Sequence, residues 1–241
     1  MQYAMLSEQG NRPINEDYVG YNVNSDKVAG CFVLCDGLGG HGHGEVASKL
    51  VTETILARYC NGGSETEFIS NAMKEGQEKL LTLQKEQHAK SEMKTTVVVL
   101  KISEREIQWS HIGDSRLYYF EKGKLIQRTK DHSVPQMLVA AGEIKEKEIR
   151  HHPDRNRLLR VVGTEWSGHQ TIEITTIEKK CRQAFLLCSD GFWELIEEKY
   201  MQKYLKKAKT PEAWLELMSK MVLKNGQGKE MDNYSAIAVW M

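Results

Sequence analysis

TTVVVLKISEREIQWSHIGDSRLYYFEKGKLIQR, residues 95–128, reads as strands in direct succession: Thr95 to Ile102, Glu106 to Ile112, Arg116 to Phe120 and Lys124 to Arg128. β-Branched and aromatic residues fill these short runs, and Glu121 to Gly123 supply turn chemistry between the last two. Connections this short join antiparallel neighbours, because a parallel pair needs a crossover of a dozen residues or more. Upstream, the same signals mark strands near Tyr3 to Ser7, Tyr18 to Val23 and Val28 to Cys35. From Glu45 the period changes, and Val46, Leu50, Val51, Ile55 and Tyr59 fall on one helical face. A second helix is expected from Ser64, which with Glu67 makes a capping box, burying Phe68, Ala72, Met73 and Leu80 and ending in the polar stretch Lys85 to Lys94. Downstream, residues 131–163 are charged and broken by Pro135, Gly142 and Pro153, as in a surface excursion of short helices. Strands return at His169 to Thr176 and Arg182 to Cys188, followed by two helices, the second capped by Thr210 with Pro211 at its first position. Tyr234 to Trp240 is a final strand. Helices grouped between runs of strands imply an α+β fold in which helices cover antiparallel sheets. Trp109, Trp193, Trp214 and Trp240 are expected in the core, and Lys203 to Lys209 on an exposed helix surface.

At 241 residues without a low-complexity linker or internal repeat, the chain is expected to form one domain. Its 33 basic and 33 acidic residues balance, so no global field draws it to nucleic acid or anionic lipid. Five cysteines, with Cys31, Cys35 and Cys188 inside apolar runs and no paired CxxC motifs, fit a reduced, cytoplasmic setting. Neither a signal peptide nor a membrane-spanning run is evident, and a soluble, unprocessed chain is expected.

The chemistry concentrates in acidic residues at strand ends. Asp36 ends CFVLC, Asp114 follows EIQWSHIG, Asp190 follows AFLLCS, and Asp232 with Asn233 precedes YSAIAVW. A carboxylate in such a position is held by rigid backbone yet faces the rim of a sheet. Convergent carboxylates repel, and burying them is costly unless a cation neutralises them. Oxygen donors select Mg or Mn, and Gly37 lets a backbone carbonyl approach an ion closely. An isolated Asp-Gly is ordinarily a turn former. What sets these apart is company: RPINED with Arg12, Asn15, Glu16 and Asp17; DGLGGHGHGEVAS from Asp36; GDSR from Gly113; SDG from Ser189; and DNYSAIAV from Asp232.

These five blocks, in this order, resemble the PP2C-type (PPM) family of metal-dependent Ser/Thr protein phosphatases, in its compact bacterial branch; the resemblance runs from about Ser7 to Val239. It implies a four-layer α-β-β-α sandwich with a binuclear Mn or Mg site at one edge, a flap segment at about 131–163, and hydrolysis by a water activated between two ions. By similarity, Asp36 bridges the ions, Gly37 and Glu16 serve one, and Asp190 and Asp232 the other. Asp17 is the neighbouring carboxylate that orients water, Asp114 holds a third, weaker ion, and Arg12 grips the substrate phosphate. Many relatives read DGHGG and use that histidine as general acid; here the position is Leu38, leaving His41, His43 or a water as proton donor, with His132 a further candidate. The implied partners are phosphorylated proteins that are substrates of Ser/Thr kinases, with neither nucleic acid nor membrane, and the chain is expected to act as a monomer.

No cysteine is followed six places later by arginine, and neither DxDxT nor GxxxxGK[ST] occurs, which excludes cysteine-based, aspartyl-phosphate and P-loop chemistry of those types. Two other readings stand beside the phosphatase. One is a catalytically silent phosphoprotein-binding module of the same fold. The other is an unrelated metallohydrolase built on HGHG, for which no clear further ligand set is present. The basic cluster Arg150, His151, His152, Arg155, Arg157 and Arg160 reads as a mobile, solvated face.

Overall fold

Strict alternation along doubly buried strands builds the molecule, seen here in a computed structural model that describes residues 1–38, 43–62, 67–89, 92–166 and 171–241. One sheet orders its strands β1 (Gln2–Glu8), β11 (Tyr234–Trp240), β10 (Gln183–Cys188), β7 (Arg116–Glu121) and β8 (Lys124–Arg128). The other runs β2 (Asp17–Val23), β3 (Gly30–Leu38), β5 (Val97–Ile102), β6 (Glu106–Ile112) and β9 (Thr175–Glu178), with the short β4 (Lys94–Thr95) on the end of β3. Every pairing is antiparallel.

Side-chain parity then assigns the layers. Phe32, Leu34, Val98, Leu100 and Trp109 of one sheet meet Leu117, Tyr119, Phe185, Leu187, Ile237 and Val239 of the other in a dry interior between sheets. The intervening residues Cys31, Val33, Cys35, Val97 and Val99 face outward under α1 (Gly44–Gly62) and α2 (Phe68–Glu86). On the opposite side Tyr118, Phe120, Leu186, Ala236 and Ala238 pack beneath α5 (Glu198–Lys207) and α6 (Pro211–Gly226). The result is the four-layer α-β-β-α sandwich. A strand covered on both faces loses its polar positions, which is why these segments read as unbroken apolar runs.

Local chemistry sets the boundaries. Lys122 and Gly123, both at positive φ, close the β7–β8 hairpin in the two-residue turn that matches strand twist. Thr210 accepts from the Ala213 N–H at 3.2 Å and Pro211 opens α6. Segment 131–163 carries α3 (Val134–Ala140), capped by Ser133, and a 3-10 turn at Glu146–His151.

Several expectations shift. The strand expected at His169 to Thr176 is found at Thr175–Glu178, because register against Glu106–Trp109 begins only there; its early part lies outside the described residues. Ser64 of the expected capping box also lies outside them, and α2 starts at Phe68 with no side-chain cap from Glu67. Three helices rather than two follow Cys188, since the single turn α4 (Asp190–Trp193) precedes the other two. Trp109, Trp193 and Trp214 are buried, whereas Trp240 at the end of β11 is only partly covered. No described helix is long and apolar enough to cross a membrane.

Candidate active site

Antiparallel pairing carries the acidic residues to one rim. Asp17 opens β2 opposite Asp36 near the end of β3, and the β1–β2 loop bearing Arg12 and Glu16 leaves from the same rim. Val97 pairs with Ile112, so β6 ends there too, and Asp114 sits in the turn that crosses to β7 in the other sheet. Cys188 stands between Arg116 and Ala236, which places Asp190 just past β10 and Asp232 just before β11 at that rim. Carboxylates separated by up to 216 positions, from Glu16 to Asp232, thus gather because the strands that carry them begin or end at the same rim.

Hydrogen bonds brace the scaffold beneath them. The Asp36 carbonyl accepts from the Thr96 N–H and the Thr95 hydroxyl, both at 2.8 Å. Asp36 N–H donates to Thr96 Oγ1 at 3.1 Å, which in turn lies 2.7 Å from Ser115 Oγ. Gly37 N–H donates to the Glu16 carbonyl at 3.0 Å. A Cβ at Gly37 would stand 2.7 Å from that same oxygen and collide with the Gly44 carbonyl, so only glycine fits. Asn233 ties the loop: its Oδ1 accepts from Glu16 N–H at 2.8 Å while its Nδ2 donates to the Gln9 and Ile14 carbonyls. Ser189 Oγ donates to Asp17 Oδ2 at 2.8 Å.

Electrostatically the rim is under strain. Burial, then the charges of Asp17, Asp190, Asp114 and Asp232, push the Asp36 carboxyl well above its ordinary range. Asp190 is raised likewise, by burial and by Asp114, Glu194, Asp232 and Asp17. Burial pushes Asp17 to about 7 against the opposing hydroxyls of Ser235 and Ser189, and pushes Asp114 to about 7 with help from Asp131. Glu16 is raised by burial and by Glu45.

The donor set fits a hard divalent cation. It is oxygen only, Asp17 Oδ1 is buried without any hydrogen-bond partner, and the close approach at Gly37 leaves backbone where a side chain would intrude. Among the described residues no three His, Cys, Asp or Glu side chains close into a cage by themselves. They bear on one another electrostatically, each raising its neighbours.

Arg12 is exposed and donates to Asp232 Oδ2 at 2.6 Å, which secures it at the mouth of the site. A cleft of ≈ 400 Å³ opens beside it, lined by Arg12, Asp190, Asp232, His151, Arg155 and Glu194 among others. His41 lies outside the described residues, and His43, at φ 83°, approaches Glu92 at 3.9 Å. His132 stacks on His111 with ring centres 4.7 Å apart and its Nδ1 accepts from Gly113 N–H. Burial and His111 drive His132 down to about 4, so at neutral pH it is an uncharged strut rather than an imidazolium acid.

The basic cluster is only in part the solvated face expected. Arg150 donates to both Glu198 oxygens, at 3.0 and 3.2 Å, and to the Ile196 carbonyl; Arg155 pairs with Glu194; and Arg160 donates to the Thr171 carbonyl over the Trp166 ring. Arg150 and Arg155 make long-range pairs to acids that sequence separation hid, while His151 and Arg157 stay exposed. Sequence reasoning also missed Asn233 and Ser189 as braces, although each stands beside a quoted aspartate in DN and SD.

A twin-sheet sandwich with an acidic rim of this make-up defines a class of cation-dependent enzyme scaffold. The protein phosphatase 2C family model matches residues 7–233, and the chain belongs to that family. It is 32% identical over 206 residues to the serine/threonine phosphatase stp of Listeria welshimeri, covering 80% of this chain and 77% of that one. The crystal structure of the serine/threonine phosphatase Stp1 from Staphylococcus aureus superposes with a TM-score of 0.88 at 28% identity, covering 99% of this chain and 94% of the other. The catalytic domain of the phosphatase PstP, solved with two manganese ions, superposes with a TM-score of 0.81 at 28% identity over 98% of this chain and 96% of that domain.

Proposed function

We propose that this chain is a metal-dependent protein phosphatase that hydrolyses phosphoserine and phosphothreonine on proteins, acting as a monomeric cytoplasmic domain that opposes Ser/Thr kinases. The observation that carries this reading is the convergence of Asp17, Asp36, Asp114, Asp190 and Asp232 at one rim, the first four raised above the ordinary carboxylate range by burial first and by neighbouring acids second, and Asp232 standing partly exposed at the mouth. Such a set is tolerable only when its charge is met. When bound, two Mn or Mg ions supply Lewis-acid activation of water and neutralise charge on the transferring phosphoryl oxygens.

The chain's own residues do the rest. Asp36 would serve both ions, with Glu16 and the Gly37 carbonyl holding one and Asp190 and Asp232 the other. Asp17, with Oδ2 held by Ser189 and Oδ1 free, is oriented to accept a proton or hydrogen bond from water at the rim. Asp114 would hold a third, weaker ion. Arg12, at the mouth, exchanges its pairing with Asp232 for two oxygens of the incoming phosphate, for which a planar guanidinium is suited. Segment 131–163 forms the flap over the ≈ 400 Å³ cleft to which it contributes His151 and Arg155. The intact acidic set supports turnover over a silent binding module, since carboxylates without ions only destabilise the fold.

Hydrolysis of p-nitrophenyl phosphate and a phosphothreonine peptide tests this. Activity should require Mn or Mg, vanish with EDTA, and fall by orders of magnitude in Asp36→Ala and Asp190→Ala with the fold retained. Turnover that persists in metal-stripped protein would refute it.

A further inference from the structure

Behind the acidic rim lies a buried stack that the proposed reaction does not itself use. Arg116, two residues past Asp114, is 3% exposed. Its Nε and Nη2 donate to the two oxygens of Asp131 at 2.8 and 2.6 Å, and its Nη1 donates to the Tyr118 hydroxyl at 3.0 Å. The guanidinium plane lies over Trp193, with Cζ 3.3 Å from the ring centre, while Arg150 from segment 131–163 approaches the same ring at 5.6 Å. Trp193 is itself 1% exposed and donates its Nε1–H to the Asp114 carbonyl at 3.0 Å. It belongs to the single helical turn that Asp190 opens, three residues after that aspartate.

A buried, paired guanidinium is a weak source of stability compared with apolar packing of equal volume, so its value lies in fixing direction. Here direction is fixed where it matters. Asp114 sits in a turn beside Gly113 at φ 103°, and Asp190 leads a helix only four residues long; neither has a long element to hold it. Trp193 joins the two by one rigid ring, and Arg116 with Asp131 clamps that ring at the root of segment 131–163.

The geometry points to Trp193 as a positioning residue for the third cation: by holding the Asp114 carbonyl from the helix that bears Asp190, it sets the spacing of those two carboxylates, and Arg116 locks it in place. This rests on the reading of Asp114 as ligand of a weaker ion.

Trp193→Phe keeps the ring in the stack and removes only the N–H. Mn titration followed by calorimetry and by electron paramagnetic resonance counts the ions directly. The variant should bind the two tight ions with wild-type affinity and the third about tenfold more weakly, the size of one lost hydrogen bond. A third ion bound as in the wild type overturns the inference, as does uniform weakening of all ions, which marks a merely structural role. Should the variant fail to fold, the native chain labelled with 5-fluorotryptophan serves. Its Trp193 resonance should shift in the weak phase of an Mg titration, after the tight ions are bound, and no shift in that phase overturns the inference. A native chain with no third ion overturns the reading of Asp114 and this inference together. A third ion lost in Asp114→Ala but untouched in Trp193→Phe overturns this inference alone.

Discussion

Raising the pH of metal-free protein from 7 to 8 should destabilise it, and adding Mg should abolish the effect. Asp36 and Asp190 are raised well above their ordinary 3.8, so the folded chain keeps protons that the unfolded chain has already lost. A carboxyl raised on folding gives stability that is present below its unfolded value and is lost as pH climbs towards the folded one. Asp17 and Asp114, at about 7, have spent most of their share by the start of this window. A group that keeps its proton across the window removes about 1.4 kcal/mol per pH unit, so about 3 kcal/mol is the upper bound for the two and the loss is smaller where either titrates within it. For a chain of this size that bound is a fall of at most roughly 6–12 °C in Tm. His111 and His132, both lowered by burial, act in the opposite sense, but their contribution is lost as pH falls through about 6.5 and is nearly complete above 7. Thermal scans in EDTA at pH 7.0, 7.5 and 8.0, under reducing conditions and repeated with saturating Mg, measure the slope. A Tm that is flat or rises with pH in EDTA, or a slope that survives Mg, would show that the rim is not a set of buried carboxylates awaiting cations.

Gly37→Ala should cost about 1–3 kcal/mol, because the added methyl meets the Gly44 and Glu16 backbone carbonyls rather than yielding side chains, and activity should fall on the order of a hundredfold as Asp36 is displaced; chemical denaturation and steady-state kinetics measure both. Arg12→Ala should leave Tm within a degree or two, its side chain being 57% exposed, while KM for a phosphopeptide rises about tenfold or more, as loss of a charge-assisted hydrogen bond requires. Asp114→Ala should lose activity more mildly than Asp36→Ala and keep the two tight ions in calorimetry; loss of the tight pair would reassign that residue.

Strands 95–128 were legible because both faces of each central strand are buried, so apolar residues run without interruption and only turns punctuate them. The rim was legible for a related reason, since an aspartate after an apolar run must sit at a strand end, and antiparallel order then brings the ends together. What was hidden depended on partners far away in sequence. Arg150 looked solvated until Glu198 and Ile196 were seen beneath it, and Arg116 of GDSR gave no sign of its bidentate partner Asp131 or of the Trp193 face it covers. The strand at Thr175–Glu178 was displaced because Ile172 and Ile174 carry β-forming character although ladder pairing with β6 starts only at Thr175, the Glu173 carbonyl accepting from the Ser110 hydroxyl instead.

The most direct measurement is an anomalous difference map from crystals of the protein grown with Mn. Peaks for two ions flanking Asp36, one on the side of Glu16 and Gly37 and the other on the side of Asp190 and Asp232, are the expected result. An empty rim in protein that still turns over a phosphothreonine peptide, or manganese bound only elsewhere, would contradict it.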